Sequence, residues 1–517
     1  MKVTHRVKSA RNETVGFILE GKSFINKYII NKYIDNIVNI STTSSGVIRS
    51  KNGELPEITT RQWNQIQYEQ ICKKNPFKRD CQELLLDWKH NDHTKVLQVE
   101  GTRQVGKTTE IKKFGYKHYE QVIYVNLASD TYGFVEKVVN NGISILAMDA
   151  YCKAGNLPDY IDNSTTLLII DEIQISSKVY NSIRDFRDNL ECDIIVTGSY
   201  LGQLLNREFF QPAGTVKLLR IEPMSFREVC RVFSLEESLM SIDIFGGSPS
   251  EQYNNLYNIY NIYRQIGGYP DIVKEYVHNR DIDRCLSALS GLLELFKKES
   301  ASYFKDERDV MIFEEVYKAA AQLLCNDKKG NGNKTLSEIA SIVSRNQKNL
   351  VSRDEINRAI SWLYNCKIIW TCDLFNNGDI KDIIAARKIY FNDCGIANIA
   401  LKSSNYPESI TQGALTENFV YCELSKLYTN FNTSLTGSSP CSSTYGTYEL
   451  DFVIVDTSRN ITGIEVKTQD GTHKSLDLYL SKKFINRGIL AKTTKGRHSG
   501  KFDTIPIFAV GCRYPFN

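Results

Sequence analysis

A glycine-rich segment at residues 98–110, Gln-Val-Glu-Gly-Thr-Arg-Gln-Val-Gly-Lys-Thr-Thr-Glu, constrains the fold of this chain more than any other feature. Within it, Gly101, Gly106, Lys107 and Thr108 have the spacing of a phosphate-binding loop. The glycines let backbone N–H groups face a triphosphate, the lysine reaches the β- and γ-phosphates, and the threonine hydroxyl ligates Mg²⁺. An apolar run precedes the loop and a helix-compatible segment follows it, which a surface Gly/Lys turn would not require.

The whole loop is predicted to contact the nucleotide, because its backbone amides lead into the positive end of a helix dipole. The predicted nucleotide-binding residues are Gly101, Thr102, Arg103, Gln104, Val105, Gly106, Lys107, Thr108 and Thr109.

A second motif, an apolar strand that ends in two acidic residues, complements the phosphate-binding loop. Residues 166–172, Thr-Leu-Leu-Ile-Ile-Asp-Glu, indicate a strand inside a parallel sheet. The residues at the C-terminal ends of such strands lie at the same edge of the sheet. Asp171 is predicted to hold, through water, the Mg²⁺ that Thr108 ligates. Glu172 is predicted to orient and deprotonate the water that attacks the γ-phosphate. Alone, the run is also compatible with a core strand whose terminal acids are merely solvated.

Strands and helices alternate over residues 95–290, which predicts an α/β fold with a parallel sheet covered on both faces. Residues 121–127 are one expected strand, and residues 193–199, Asp-Ile-Ile-Val-Thr-Gly-Ser, follow one helix later. The latter strand would place Thr197 or Ser199 beside the γ-phosphate as a polar sensor. Strands ending in Thr-Gly-Ser are also common turn chemistry.

Length and composition limit the protein class. A chain of 517 residues is too long for one core and predicts three or four domains. The formal net charge of +4 is small for this size, so nucleic-acid binding has to be argued from local patches. Thirteen cysteines without paired spacing are typical of free thiols in a reducing cytoplasm. With no apolar run long enough to span a bilayer, neither secretion nor membrane insertion is expected.

The pattern divides the chain into four predicted domains. Residues 1–60 indicate a small α+β appendage, with a strand at 14–19 and a helix at 23–37. An ATPase-type sheet domain at 61–290 follows, then a helical domain at 291–375 and an α/β domain at 376–517. Helices followed by the apolar run Ile368-Ile369-Trp370 resemble the order of a winged helix. Such a domain contacts DNA or serves as a docking piece, and the sequence favours neither.

A second candidate site lies near the C-terminus. Residues 448–455 and 462–467 read as two strands, in which Glu465 and Lys467 project to one side and can meet Asp451. Asp451 and Glu465 are predicted to bind Mg²⁺ through oxygen atoms, Lys467 to position an attacking water, and Glu417 to complete the acidic cluster. A surface hairpin carrying an ordinary Glu/Lys pair is at least as compatible with this spacing.

A basic stretch from Leu478 to Phe502 follows that site and contains no acidic residue. Its positive charge would attract the phosphates of a nucleic-acid substrate. A run of this kind is more often a solvated face. His473 and His498 have no metal-ligand spacing and are predicted to be surface residues. The basic residues are Lys482, Lys483, Arg487, Lys492, Lys495, Arg497 and Lys501.

Residues 101–109, 168–174 and 197–199 together resemble the prokaryotic AAA+ ATPases whose C-terminal domain is a PD-(D/E)XK nuclease-like fold. Residues 222–228 and 267–273 are similar to the family's Pro-Leu-Ser-Phe-x-Glu and Gly-Gly-x-Pro-Glu-Val-Val segments. The C-terminal strings 413–421, 449–452 and 464–467 are similar to its nuclease-like signature. The resemblance covers about residues 75–517. It implies a P-loop NTPase sheet, a helical or winged-helix region and a restriction-endonuclease-like domain, with ATP and magnesium as ligands.

One departure from the family concerns an arginine. The family often has Gly-Arg shortly before the Pro-Leu-Ser-Phe segment, whereas this chain has Gly214-Thr215. A charge-stabilising arginine is therefore unassigned, and the candidates are Arg184, Arg187, Arg207 and Arg220.

Three functions are compatible with these patterns. The expected one is a cytoplasmic AAA+ ATPase that hydrolyses Mg·ATP and thereby switches an attached nuclease-like, DNA-interacting domain. An ATP-gated, Mg²⁺-dependent DNA endonuclease and a non-catalytic signalling scaffold controlled by nucleotide are the alternatives. Expected partners are ATP, DNA, and a protein partner or further copies of the chain, with no membrane.

Overall fold

A computed structural model describes most of the chain. The described residues are 40–42, 47–50, 58–92, 95–198, 208–210, 214–303, 307–325, 335–346, 351–375, 388–404, 406–430, 440–456, 460–468 and 473–511. The predicted strand at 14–19 and helix at 23–37 lie outside these residues. In the described part of the N-terminal region, β1 (Ile40–Thr42), β2 (Val47–Ser50) and β3 (Ile58–Thr59) form an antiparallel sheet in the order β1-β2-β3.

The predicted parallel sheet is confirmed over residues 96–220. Its strands run in the order β5-β6-β7-β4-β8, and every neighbouring pair is parallel. All residues of β6 and β7 are buried, as expected for strands covered on both faces. β7 lies between β6 and β4, so the strand that ends in Asp171 is not the direct neighbour of the strand that enters the glycine loop. The strands are β4 (Val96–Glu100), β5 (Gln121–Asn126), β6 (Thr166–Asp171), β7 (Asp193–Thr197) and β8 (Val216–Arg220).

Two apolar layers cover this sheet. Leu167 and Ile169 face one layer, whereas Leu168 and Ile170 face the other, as the two-residue period of a strand requires. The single helix predicted between the strands at 166–172 and 193–199 is interrupted at Ser182 and forms two short helices. The helices are α1 (Thr60–Lys74), α2 (Cys81–Asn91), α3 (Lys107–His118), α4 (Ile145–Ala154), α5 (Ser177–Asn181) and α6 (Ile183–Asn189), with a π-helical turn at Val135–Val139 and a 3₁₀ turn at Ile173–Ile175.

A helical region follows the sheet and ends in a two-stranded antiparallel sheet. The predicted boundary at 290/291 falls inside α11. The boundary at 375/376 falls between β9 and β10, which pair with each other. The elements are α7 (Phe226–Val232), α8 (Glu236–Ser241), α9 (Ser250–Ile266), α10 (Pro270–Asn279), α11 (Ile282–Tyr303), α12 (Glu307–Cys325), α13 (Thr335–Asn346), α14 (Arg353–Asn365), β9 (Ile369–Cys372) and β10 (Lys388–Phe391).

The C-terminal region contains a mixed six-stranded sheet in the order β11-β12-β13-β14-β16-β15. β13, β14 and β16 are parallel, and the other pairs are antiparallel. The two predicted strands are present as β12 and β13. The elements are α15 (Cys394–Lys402), α16 (Glu408–Asn430), β11 (Cys441–Tyr445), β12 (Tyr448–Val455), β13 (Ile461–Lys467), α17 (Lys474–Ser481), β14 (Arg487–Lys492), β15 (Arg497–His498) and β16 (Asp503–Pro506), with a 3₁₀ turn at Ile507–Ala509.

Polar contacts join the C-terminal region to the helices that follow the first sheet. The Tyr257 hydroxyl of α9 donates to the carbonyl oxygens of Lys492, at 3.1 Å, and Thr494, at 2.9 Å. Phe226 N, at the start of α7, donates to the Glu423 carboxylate of α16 at 3.1 Å. Because the bond between Phe226 and Glu423 is directed and buried, it fixes the orientation of α16 against α7. Among the described residues, no helix combines the length and apolar character needed to cross a membrane.

Candidate nucleotide site and C-terminal acidic site

Both glycines of the loop have positive φ values, which favour glycine. Gly101 has φ +148°, and a Cβ at this position would collide with the carbonyl oxygen of Ile221, so only glycine fits. Gly106 has φ +95° and immediately precedes α3. The first α-helical bond of α3 runs from Glu110 N to Gly106 O at 2.9 Å. The amides of the first turn before Glu110 therefore have no partner four residues earlier in the helix, which makes this end suited to an anion.

Lys107 lies across the loop. Its side chain is buried, and Nζ donates to Gly101 O at 2.8 Å and to Thr102 O at 2.9 Å. The ammonium group is thus held at the centre of the backbone turn, next to the amides at the start of α3. Its carbonyl partners are ones that a phosphate oxygen can replace, because an anion is the stronger acceptor.

The predicted metal-binding pair is in direct contact. Thr108 Oγ1 donates to Asp171 Oδ2 at 2.8 Å, although β7 separates the two strands that carry these loops. The same Oδ2 accepts a second hydrogen bond from the Tyr124 hydroxyl at 2.8 Å, and Oδ1 accepts from Glu172 N at 2.9 Å. Three hydrogen bonds therefore fix the Asp171 carboxylate. Hydroxyl and carboxylate oxygens are the hard ligands that Mg²⁺ prefers, so this donor set fits the ion.

Tyr124 and Lys112 were not predicted from the sequence. Lys112 Nζ of α3 lies 3.3 Å from the centroid of the Tyr124 ring. Burial lowers the pKa of Lys112 to about 8, although the nearby Asp171 carboxylate opposes the shift. Burial, together with Asp171, raises the pKa of the Tyr124 hydroxyl, which therefore stays protonated and donates. The available signal was the two-residue period of β5, which places Tyr124 on the same face as Asn126, beside the end of β6.

Glu172 directly follows β6 in a left-handed conformation, with φ +55°. Its Oε2 accepts from Gln174 Nε2 at 2.5 Å, and the side chain is half-buried. Thr197 is fully buried, and its hydroxyl donates to Val99 O at 2.9 Å, which ties β7 to β4. Donation from Thr197 to a phosphate, as the sensor hypothesis requires, would therefore have to break this bond.

Arg79, which sequence reasoning missed, supports the glycine loop from behind. Its Nε pairs with Glu228 Oε1 at 2.9 Å, and both side chains are buried. Nη1 donates to Val105 O at 3.0 Å, and Nη2 donates to Glu222 O at 2.7 Å. Burial opposes the charge of Arg79, but the Glu228 carboxylate, with smaller contributions from Cys81 and Glu110, raises the pKa of the guanidinium group. One buried cation thus joins the loop to the Glu222–Glu228 segment.

The arginine candidates differ in their surroundings. Arg220 pairs with Glu100 at 2.8 Å, just before the loop, and stacks over Trp370 at 4.6 Å. Arg187 pairs with Asp188 at 2.6 Å. Arg184 is exposed on α6, and Arg207 lies outside the described residues.

A cavity of about 130 Å³ opens beside the loop, next to the first turn of α3. It combines an aromatic wall with polar groups and a Lys113–Glu110 ion pair of 2.8 Å. The lining residues are Asn75, Phe77, Arg79, Gln104, Gly106, Thr109, Glu110, Lys113, Pro270 and Asp271.

In the C-terminal region, Lys388 of β10 lies among three carboxylates. Its Nζ is 2.7 Å from Glu417 Oε1, 3.0 Å from Glu449 Oε1 and 3.6 Å from Asp451 Oδ1. We call these four residues the Lys388 cluster. Sequence reasoning placed Glu417 and Asp451 together but missed the lysine, which supplies positive charge to both.

The other predicted residues of this site form a separate pair. Lys467 Nζ lies 3.0 Å from Glu465 Oε1, on the shared face that the strand period predicted. Glu465 is only 3% exposed, and its Oε2 has no hydrogen-bond partner. Asp451 Oδ2 accepts from Val466 N at 2.7 Å, which anchors β12 to β13 beside this pair. Within the described ranges, no group of three or more His, Cys, Asp or Glu side chains is arranged to hold a metal ion.

The basic stretch is partly neutralised by nearby groups. Arg487 pairs with Asp503 at 3.1 Å, and Lys495 Nζ donates to Ser250 Oγ at 3.0 Å. His498 contacts Asp503 at 2.7 Å, and His473 lies 3.5 Å from Asp477. Lys482 and Lys483 are exposed. The two histidines are thus surface residues in contact with acids.

Comparisons with known families match the chain in three segments. Residues 93–230 match the family model described as an AAA domain. Residues 258–406 and 412–509 match two models described as domains of unknown function, DUF8612 and DUF4143. No curated protein matches the chain.

Several solved structures are similar over part of the chain. The Walker-type ATPase PABY2304 of Pyrococcus abyssi is 15% identical, with 63% of this chain and 95% of that chain covered and a TM-score of 0.40. The Thermotoga maritima RuvB Holliday junction branch migration motor is 14% identical, with 59% and 89% covered and a TM-score of 0.24. The Aeropyrum pernix Orc1 protein in complex with DNA is 12% identical, with 65% and 90% covered and a TM-score of 0.27.

Proposed function

We propose that this chain, which carries an ATPase-type P-loop domain of the AAA class at residues 93–230, binds and hydrolyses Mg·ATP and uses the nucleotide to regulate its C-terminal domain. The observation that carries the proposal is the 2.8 Å contact between Thr108 and Asp171, beside the buried ammonium of Lys107. A hydroxyl, a carboxylate and a cation then converge at the start of a helix whose amides face outward. This combination is what a metal-bound triphosphate requires.

Each residue has a separate role in the proposed reaction. Lys107 exchanges its carbonyl partners for phosphate oxygens, and the loop amides hold the remaining phosphate charge. Thr108 and Asp171 would hold Mg²⁺, which would supply positive charge beside the phosphate oxygens. Glu172 orients the attacking water and accepts its proton. Tyr124 and the Glu172 amide keep the Asp171 carboxylate in one orientation.

The cavity beside Gly106 is the proposed site for the nucleoside. It adjoins the first turn of α3, so a base placed there leaves the triphosphate at the loop. The Phe77 side chain offers an aromatic surface, and Asn75 and Gln104 offer hydrogen-bonding groups. Pockets that combine apolar walls with a few polar groups are typical of small-molecule sites.

Replacing Lys107 with alanine tests the nucleotide site. The variant loses charge-assisted hydrogen bonds to the phosphates, each worth about 1.5–3 kcal/mol, so ATP affinity is expected to fall about 10- to 100-fold. The measurement is ATP titration by calorimetry, followed by ATP turnover with and without duplex DNA. Lys117→Ala, at an exposed position of the same helix, is the matched control and should bind ATP normally. Unchanged affinity in Lys107→Ala would contradict the proposal. Negligible turnover with nucleotide-dependent oligomer size would instead favour the signalling scaffold.

A Mg²⁺-dependent DNA endonuclease in the C-terminal region is the second candidate. The buried, unpartnered Oε2 of Glu465 favours it, because an uncompensated carboxylate oxygen in that position is costly unless a cation binds. Asp451 and Lys467 would complete the site, with Glu417 beside them. The Lys388 ammonium counts against a metal site, because it already offsets the negative charge of Glu417 and Asp451.

DNA cleavage decides between these alternatives. Duplex and single-stranded DNA are incubated with the protein and Mg²⁺ or Mn²⁺, with and without ATP. For an endonuclease we expect cleavage by the unaltered protein that is lost in Asp451→Ala. Equal cleavage by both proteins points to a contaminating nuclease. DNA binding without cleavage would leave the C-terminal region as a DNA-interacting or docking domain.

A further inference from the structure

Strand β10 connects the two candidate sites. At its first residue, Lys388 Nζ holds Glu417, Glu449 and Asp451. Directly after its last residue, Asn392 Nδ2 donates to Thr102 Oγ1 of the glycine loop at 2.6 Å. Four strand residues at about 3.3 Å each span about 13 Å. One short strand therefore touches the phosphate-binding loop at one end and the Lys388 cluster at the other.

This strand is held along its whole length. β10 pairs with β9 from Lys388 opposite Cys372 to Phe391 opposite Ile369. On its other side, Asn418 of α16 accepts from Phe391 N at 2.8 Å and donates to Phe391 O at 3.2 Å. The strand is therefore constrained by its neighbours on both edges. Densely packed elements shift as units and do not deform locally, so a displacement at one end reaches the other.

At the loop end, two groups hold Thr102 through different atoms. Its carbonyl oxygen accepts from Lys107 Nζ at 2.9 Å, and its hydroxyl accepts from Asn392. Thr102 is 1% exposed, so water does not replace either partner. A bound phosphate would draw the Lys107 ammonium away from the Thr102 carbonyl oxygen. Thr102 would then lose one of its restraints while Asn392 still holds its hydroxyl.

At the other end, the balance of charges depends steeply on the position of Lys388. One ammonium group offsets three carboxylates, at distances that increase from Glu417 to Glu449 to Asp451. The interaction of two charges varies inversely with their separation, and partial burial weakens solvent screening. A small shift of β10 therefore changes how far each carboxylate, Asp451 above all, is neutralised.

We infer that β10 couples nucleotide occupancy of the glycine loop to the charge state of the Lys388 cluster. The inference rests on the proposed ATP binding and adds the physical connection between the two sites. Because coupling between sites is reciprocal, a change at Lys388 must alter ATP affinity, and it must do so through Asn392.

A double-substitution cycle on the full chain tests this. ATP affinity is measured by calorimetry for the unaltered protein, Lys388→Met, Asn392→Ala and the double variant. Coupling energies along such connections correspond to about a two- to thirtyfold change in affinity. We expect Lys388→Met to change ATP affinity within that range in the unaltered background, but less than twofold once Asn392 is alanine. Lys482→Met, at an exposed position of the same C-terminal domain, is the matched control and should have no effect.

The outcomes separate the coupling from the nucleotide site itself. Normal ATP binding with no effect of Lys388→Met, or with the same effect in both backgrounds, overturns the coupling and leaves the proposed ATPase intact. Absence of ATP binding in the unaltered protein overturns both. Circular dichroism checks that each variant folds. If Lys388→Met does not fold, Glu449→Gln changes the charge of the same cluster and takes its place in the cycle.

Discussion

Glu172→Gln is expected to retain ATP binding and to lose most ATP hydrolysis. Glutamine keeps the size of the side chain and an oxygen for the contact with Gln174, but it cannot accept a proton. General base catalysis contributes about 10²- to 10⁴-fold, so turnover should fall by at least tenfold and by as much as 10⁴-fold. Affinity should stay within about threefold, since Glu172 is not assigned to the phosphates or the metal. Steady-state phosphate release and calorimetry measure the two quantities.

The matched control is Glu191→Gln, which removes a charge from an exposed position just before β7. It should leave both turnover and affinity unchanged. If Glu172→Gln hydrolyses ATP at a rate close to that of the unaltered protein, Glu172 is not the base, and another group must activate the water. If it loses affinity as well, the carboxylate belongs to the metal site together with Asp171.

Local patterns in the sequence predicted the elements of the nucleotide site but not their arrangement. The apolar runs that end at Asp171 and Thr197 correspond to β6 and β7, because buried parallel strands are continuous apolar segments. The insertion of β7 between β6 and β4 was not predictable from these runs. It depends on which crossover each helix makes, and the apolar pattern is the same for either order. The motifs were enough to predict that Thr108 and Asp171 lie together, whereas the strand order that brings them together needed the three-dimensional structure.

Single charged residues that act at long range escaped prediction for a different reason. Lys388 meets Glu417 across 29 residues of sequence, and Arg79 meets Glu228 across 149. The residues next to a lysine or arginine in the sequence do not show whether its side chain is buried against a carboxylate or exposed to solvent. By contrast, Glu465 and Lys467 are two residues apart on one strand, so the strand period was enough to predict their contact.

Arg79→Met is expected to destabilise the fold around the glycine loop by a large amount. Methionine preserves much of the volume but leaves the Glu228 carboxylate buried without its cation, which typically costs about 3–5 kcal/mol. Val105 O and Glu222 O also lose their donor. The expected result is a marked decrease in the urea midpoint, followed by fluorescence, together with weaker ATP binding because the loop loses its support. A midpoint within experimental error of the unaltered protein would contradict the structural role of Arg79.

The double variant Arg79→Met with Glu228→Gln separates the ion pair from packing. Removing both charges eliminates the uncompensated carboxylate, so the double variant should be more stable than Arg79→Met alone.

The dependence on pH gives a second, independent check. Burial raises the pKa of Glu228, but Arg79 and backbone N–H groups outweigh it and hold this pKa below its usual value of 4.5. The stabilisation from the pair is therefore complete above pH 4.5 and is lost as the pH falls through the lowered pKa of Glu228. The difference in stability between the unaltered protein and Arg79→Met should accordingly be large at neutral pH and shrink in acid. A difference that is independent of pH would assign the loss to packing rather than to charge.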